Sequence, residues 1–143
     1  MITLVTIGEV EKSVFENLRR PLAEAFGQRT KMEESITPTQ ASWDKRCSQY
    51  LAPVLLTELS PLSISDRILG VVDADIFAPE LNFVFGQADV TRRRAIISLQ
   101  RLMQGFYSLP KNENLFQERT LKEAVRELGR TYGLEHCSNP IIG

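Results

Sequence analysis

The stretch Thr120-Leu121-Lys122-Glu123-Ala124-Val125-Arg126-Glu127-Leu128-Gly129-Arg130-Thr131-Tyr132-Gly133-Leu134-Glu135-His136-Cys137 decides how the rest of the chain is read. At helical periodicity it places Leu121, Ala124, Val125, Leu128 and Tyr132 in one apolar stripe, with Lys122, Glu123, Arg126 and Arg130 opposite. This is the pattern of an amphipathic helix with one buried and one solvated face. Glu127 lies at the edge between the faces, where it can pair with Arg130 three residues on, as Arg119 can with Glu123 at four. Gly133 supplies a stop. The start stays open between Asn114, with Gln117 as reciprocal cap, and Thr120, with Glu123 in that role. The segment also carries His136, the sole histidine of the 143-residue chain. One copy therefore cannot assemble a site from two or three imidazoles.

Upstream of this helix, strand and helix patterns interleave. Residues 1–7 are rich in β-branched side chains and close at Gly8, which suits a short buried strand. Ser13, with Glu16 three residues on, reads as the cap of a first helix in which Val14, Leu18, Leu22 and Phe26 recur at fourfold spacing until Gly27. Pro21 removes a backbone donor and is expected to bend or restart that helix. Residues 28–40 lack periodicity, although Arg29-Thr30-Lys31-Met32 fits an outer strand. Trp43, Cys47, Tyr50, Leu51, Val54 and Leu55 mark one face of a second predicted helix, ending before Ser60-Pro61. Residues 67–73 form an apolar run with polar ends, as a central strand does, and Phe83-Val84-Phe85-Gly86 and residues 94–99 read as two more. The segment 73–82 between them is expected to be a long loop of the kind that carries function. Together these elements predict an α/β layer arrangement around one mixed sheet.

Composition narrows the function classes. A hydrophobic fraction of 43% and a charged fraction of 24% are those of an ordinary globular chain of single-domain length. A net charge of −1 leaves no positive excess to draw the chain onto nucleic acid or an anionic bilayer. The longest uncharged stretch, Cys47 to Thr57, is shorter than the roughly 20 residues a membrane span needs, and the first residues lack the basic start of a secretory signal. A cytoplasmic location is expected, with Cys47 and Cys137 as reduced thiols. Asp73 and Asp75 are not expected to do acid–base work together, and Arg92-Arg93-Arg94 reads as a solvated turn before a strand. Trp43 and Tyr50 read as core residues of the second helix.

The segment 122–137 resembles the active-site stretch of the archaemetzincins, zinc metallopeptidases that carry His-Glu-x-x-His-x-x-Gly-x-x-His-Cys there. Glu127, Gly133, His136 and Cys137 keep its spacing. Residues 70–88 are similar to the family's Gly-Val-Thr-Asp-x-Asp-Leu-Phe-x-Pro-x-Leu-Asn-Phe-Val-Phe-Gly-Gln-Ala stretch. Ser98-Leu99-Gln100-Arg101-Leu102 and Arg46-Cys47-Ser48-Gln49-Tyr50 resemble two further signatures. The resemblance implies a zincin-like α+β domain over residues 1–143, with a twisted mixed sheet packed on the active-site helix. It makes Phe83-Val84-Phe85 an edge strand that lines the cleft and can hold an extended peptide by backbone hydrogen bonds. It assigns residues 126, 130 and 136 to the zinc-ligand positions and Glu127 to that of the general base. Cys137 would belong to a structural zinc site of four cysteines. Ile142 stands where the second belongs, so that site and the family's methionine turn are expected to be incomplete here.

At the ligand positions stand Arg126 and Arg130, and only His136 is retained. A guanidinium stays protonated, with a pKa above about 12, and has no lone pair to offer a metal. Two fixed positive charges also repel a divalent cation, by on the order of several kcal/mol at an effective dielectric near 20. Zinc is therefore expected to bind weakly or not at all, leaving Glu127 without a metal-acidified water to deprotonate. The sequence reads as a pseudopeptidase that takes a peptide or protein in its cleft. Two other readings stand beside it. One is an active zinc peptidase, an aminopeptidase on the family's pattern, whose two arginines are engineered or erroneous substitutions of histidine. The other is a truncated product without activity.

Overall fold

The computed structural model describes residues 1–33, 35–59 and 67–133. Strand β1, Ile2–Ile7, is followed by helix α1, Lys12–Phe26, which returns the chain to a short parallel strand β2, Thr30–Met32. A hairpin of β3, Trp43–Asp44, and β4, Gln49–Leu51, leads into helix α2, Ala52–Leu59. Strands β5, Arg67–Val72, β6, Ile76–Ala78, β7, Leu81–Val84, β8, Gly86–Asp89, and β9, Arg94–Ser98, come next. Helix α3, Glu113–Thr131, is the last described element.

The strands sort into a five-stranded sheet, β2-β1-β5-β9-β8, and a four-stranded sheet, β3-β4-β6-β7, where the sequence predicts one. In the larger sheet β2, β1, β5 and β9 run parallel, and β8 is antiparallel at the edge. Period-two alternation turns neighbouring side chains of each strand to opposite faces. Leu4, Leu69, Val71 and Ile97 pack with Phe15 and Leu18 of α1 and with Ala124 and Leu128 of α3. Val5, Ile68, Val72 and Ile96 pack on the other side with Leu55 and Leu59 of α2 and with Ile76. Both faces of the parallel strands are apolar, so both need a covering layer. A Cβ at Gly70 of β5 would stand 2.8 Å from Leu59 and 2.9 Å from Ile7, so glycine lets α2 seat against the sheet.

Several expectations are corrected. Ser13 does not cap α1, whose N-cap is Glu11 with no side-chain capping bond. Its hydroxyl meets the Glu11 carboxylate at 3.5 Å instead. The same helix passes through Pro21 without interruption. The second helix starts later than its apolar spacing predicts, because residues 43–51 pair as β3 and β4 with Trp43 opposite Tyr50. Their rings meet edge to face at 4.7 Å, a cross-strand aromatic pair of the kind that stabilises hairpins. The segment 73–82 is no bare loop, since β6 within it pairs parallel with β4. Phe83-Val84-Phe85-Gly86 is not one strand: β7 ends at Val84, β8 begins at Gly86, and Phe85 joins the two sheets. Helix α3 begins before both predicted starts, at Asn112, whose side chain accepts from the Leu115 N–H at 3.0 Å. Arg94 is buried rather than solvated, and its Nε donates to the Leu59 carbonyl.

Candidate functional site

Helix α3 packs on β8 and β9, and this contact buries two carboxylates. Glu127 is 2% exposed and Glu123, expected on the solvated face, 6%. Gly86, at the start of β8, allows the approach. A Cβ there would meet Glu127 Cγ at 2.8 Å and the Ile96 carbonyl oxygen at 2.7 Å. Each carboxylate is answered by an arginine one turn further on. Arg126 Nη1 lies 3.4 Å from Glu123 Oε2, and Arg130 Nη1 lies 3.2 Å from Glu127 Oε1. The expected Glu127–Arg130 pair is thus formed. Arg119 turns away from Glu123 and donates to the Leu102 carbonyl and Gln104 Oε1. Burial, and then the charge of Glu123, push Glu127 up to about 7, and Arg130 offsets them only in part.

Across an open cavity of about 330 Å³ lies a second charged group. Asp75, in the turn after β5, accepts from Arg101 Nε at 2.8 Å and Nη2 at 2.9 Å, and from Gln49 Nε2 at 2.8 Å. Burial pushes the Asp75 carboxyl up, but the bonds from Arg101 and Gln49 outweigh it and hold the group below the usual carboxylate range. The Arg101 guanidinium also lies 3.9 Å from the Phe83 ring centroid and 4.7 Å from that of Phe106. Asp73 belongs to a different environment, where burial and the charge of Glu11 raise it. The two aspartates do not form a pair.

Three of the family-like stretches therefore meet at one carboxylate, with Gln49, Asp75 and Arg101 each from a different stretch. The fourth supplies α3. The network escapes sequence reading because its members lie 26 residues apart on either side of Asp75. Membership of three family-like stretches is its only sequence signal. Phe83 and Phe85 meet edge to face at 5.4 Å, Phe85 lines the cavity, and its carbonyl accepts from the Ser98 N–H at 2.8 Å. Val84 ends β7 and pairs with Ile76 of β6. As expected of Phe83 and Val84, β7 is an edge strand, but of the smaller sheet; the edge of the larger sheet beside α3 is β8, one residue beyond the expected segment. His136 and Cys137 lie outside the described residues.

Residues 29–142 match the model of peptidase family M54. The chain belongs to this family, the archaemetzincins. The family consists of zinc metallopeptidases. The chain is 37% identical over 138 residues to the archaemetzincin of Methanocaldococcus jannaschii, covering 96% of this chain and 75% of that one. It is 40% identical over 148 residues to that of Pyrococcus abyssi, covering 98% and 79%. The crystal structure of Archaeoglobus fulgidus archaemetzincin superposes with a TM-score of 0.83 at 30% identity, covering 97% of this chain and 82% of that one. A zinc-dependent peptidase from Methanocorpusculum labreanum shares the fold, with a TM-score of 0.88 at 24% identity over 98% and 85% of the two chains.

Arg126 and Arg130, which the resemblance assigns to zinc-ligand positions, do not fit the ion. Arg126 and Arg130 bring hydrogen-bond donors where a cation needs lone pairs, and those donors are turned onto Glu123 and Glu127. Among the described residues no group of three His, Cys, Asp or Glu could hold a metal, and no helix is long and apolar enough to cross a membrane.

Proposed function

We propose that this chain uses the archaemetzincin fold as a cleft for a peptide or protein and does not hydrolyse peptides by the family's zinc route. The observation that carries this reading is the pairing of Arg126 and Arg130 with the buried carboxylates of their own helix. Removing Arg130 from Glu127 would leave a buried carboxylate without its counter-charge, so the arginine is held where it is. Glu127 is then a salt-bridge partner with no activated water to work on. Peptide binding is supported by β8. Because the Ser98 N–H bonds to the Phe85 carbonyl, the alternation of an antiparallel ladder turns the backbone groups of Gly86 and Ala88 away from β9, toward the sheet's edge. The reading takes the chain to be cytoplasmic, which the exposed free thiol of Cys47 supports.

Elemental analysis tests it. Protein dialysed after incubation with excess zinc is expected to retain far less than one ion per chain and to cleave no peptide, and stoichiometric zinc would overturn the proposal. The double variant Arg126→His, Arg130→His is expected to gain zinc, because it returns imidazole lone pairs to the two helical positions.

A further inference from the structure

The cavity between α3 and the two 3₁₀ turns Gln100–Leu102 and Gln104–Tyr107 is lined by four cations, Arg101, Arg119, Lys122 and Arg126. Arg119, Lys122 and Arg126 recur at three- and four-residue spacing, so they share one face of α3, and Arg101 meets them from the opposite wall. Two of the four are answered within the chain: Arg101 by Asp75 at 2.8 Å, and Arg126 by Glu123 at 3.4 Å. Among the described residues Arg119 uses only Nη1, and only on neutral oxygens, at 3.4 Å from the Leu102 carbonyl and 3.3 Å from Gln104 Oε1. Lys122 is exposed and has no carboxylate partner among the described residues. An excess of positive charge therefore faces one cavity in a chain whose net charge is −1. Low-dielectric walls focus such a potential. The rest of the wall is one acid, Glu123, whose carboxylate is the partner of Arg126 and leaves the cations in excess, together with Phe85, Leu102 and Tyr107. A methylene stem could lie on these side chains while its acid group reaches the guanidinium fork.

We propose that this cavity binds a carboxylate group, supplied by an acidic side chain of the peptide held along β8. The site stands on its lining; assigning the carboxylate to a peptide rests on the proposed function.

Calorimetric titration at low ionic strength tests both parts, with succinate as probe and succinamide as its neutral counterpart. Succinate is expected to bind one per chain, more weakly as salt rises. Arg119→Gln and Lys122→Gln are each expected to lower affinity about tenfold, the loss of one charge-assisted contact, while Lys12→Gln on α1 leaves it unchanged. The Lys122 side chain is exposed and makes no hydrogen bond or ion pair among the described residues, so its variant reports on the site even if Arg119→Gln destabilises the protein. Succinamide binding as tightly as succinate, or both cavity variants binding like the parent, would overturn the site. A second titration compares a glutamate-containing peptide with its glutamine counterpart. Preference for glutamate supports the full proposal. Equal binding of the two peptides overturns the assignment of the carboxylate to a peptide side chain and leaves the cleft reading standing. Succinate binding with neither peptide bound keeps the site and overturns its assignment to a peptide.

Discussion

Glu127 carries the chemistry of the site in a single side chain. Its carboxyl ordinarily titrates near 4.5, and burial with Glu123 beside it moves this to about 7 in the folded protein. Between those values the folded state holds a proton that the unfolded state has released. Stability is therefore greatest below about pH 4.5 as far as this group is concerned, and falls as pH rises through about 7. Glu127→Gln keeps the shape without the titration. It is expected to flatten the decline in melting temperature between pH 5 and 8 and to stabilise the protein at pH 8 by roughly 2 kcal/mol. An unchanged slope in the variant would assign the pH dependence to other groups. Gly86 is the matching position on β8. Gly86→Ala sets a Cβ against a backbone oxygen and the Glu127 stem, so a loss of about 2 kcal/mol is expected in chemical denaturation.

Secondary-structure elements show where local signals compete. Helix α3 offers two capping patterns inside itself, yet neither is used. Thr120 turns its hydroxyl back onto the Phe116 carbonyl at 2.7 Å, and Glu123 pairs with Arg126. Asn112 caps instead, and Asn112→Ala is expected to cost about 1 kcal/mol by urea titration. A similar ambiguity hides the β3–β4 hairpin. Trp43 and Tyr50 are seven residues apart, which places them on one helical face and equally well opposite each other across a turn. The turn residues decide, with Ser48 at a φ of 55°. Arg67 ties elements together at the far end of α3. Its guanidinium lies 3.4 Å from the Tyr132 ring centroid and its Nε bonds Thr131 Oγ1 at 3.1 Å, fastening the last turn of the helix to the start of β5.

At the level of the whole fold, stability is divided between two apolar layers, one on each face of the larger sheet. Leu128 is fully buried in the layer shared by α1 and α3. Leu128→Ala is expected to lower unfolding free energy by about 2–5 kcal/mol in a single cooperative transition. Two separate transitions in the variant would mean that the layers unfold independently. Because α3 belongs to this layer and also walls the cavity, the same packing that stabilises the protein sets the position of the charged face.

Residues 126 and 130 could be judged before any fold was known, because the capacity to bind a metal belongs to a side chain's own atoms and no packing gives a guanidinium a lone pair. The central strands, the outer strand at residues 29–32 and the last helix were readable for a related reason: alternation and helical spacing are short-range patterns. Burial of Glu123 and Glu127, the meeting of Gln49, Asp75 and Arg101, and the change of sheet at Phe85 are of another kind. Each depends on which distant segment comes to lie alongside. Loss of water, the resulting shift in acidity and the shape of a charged cavity therefore exist only once the layers have packed.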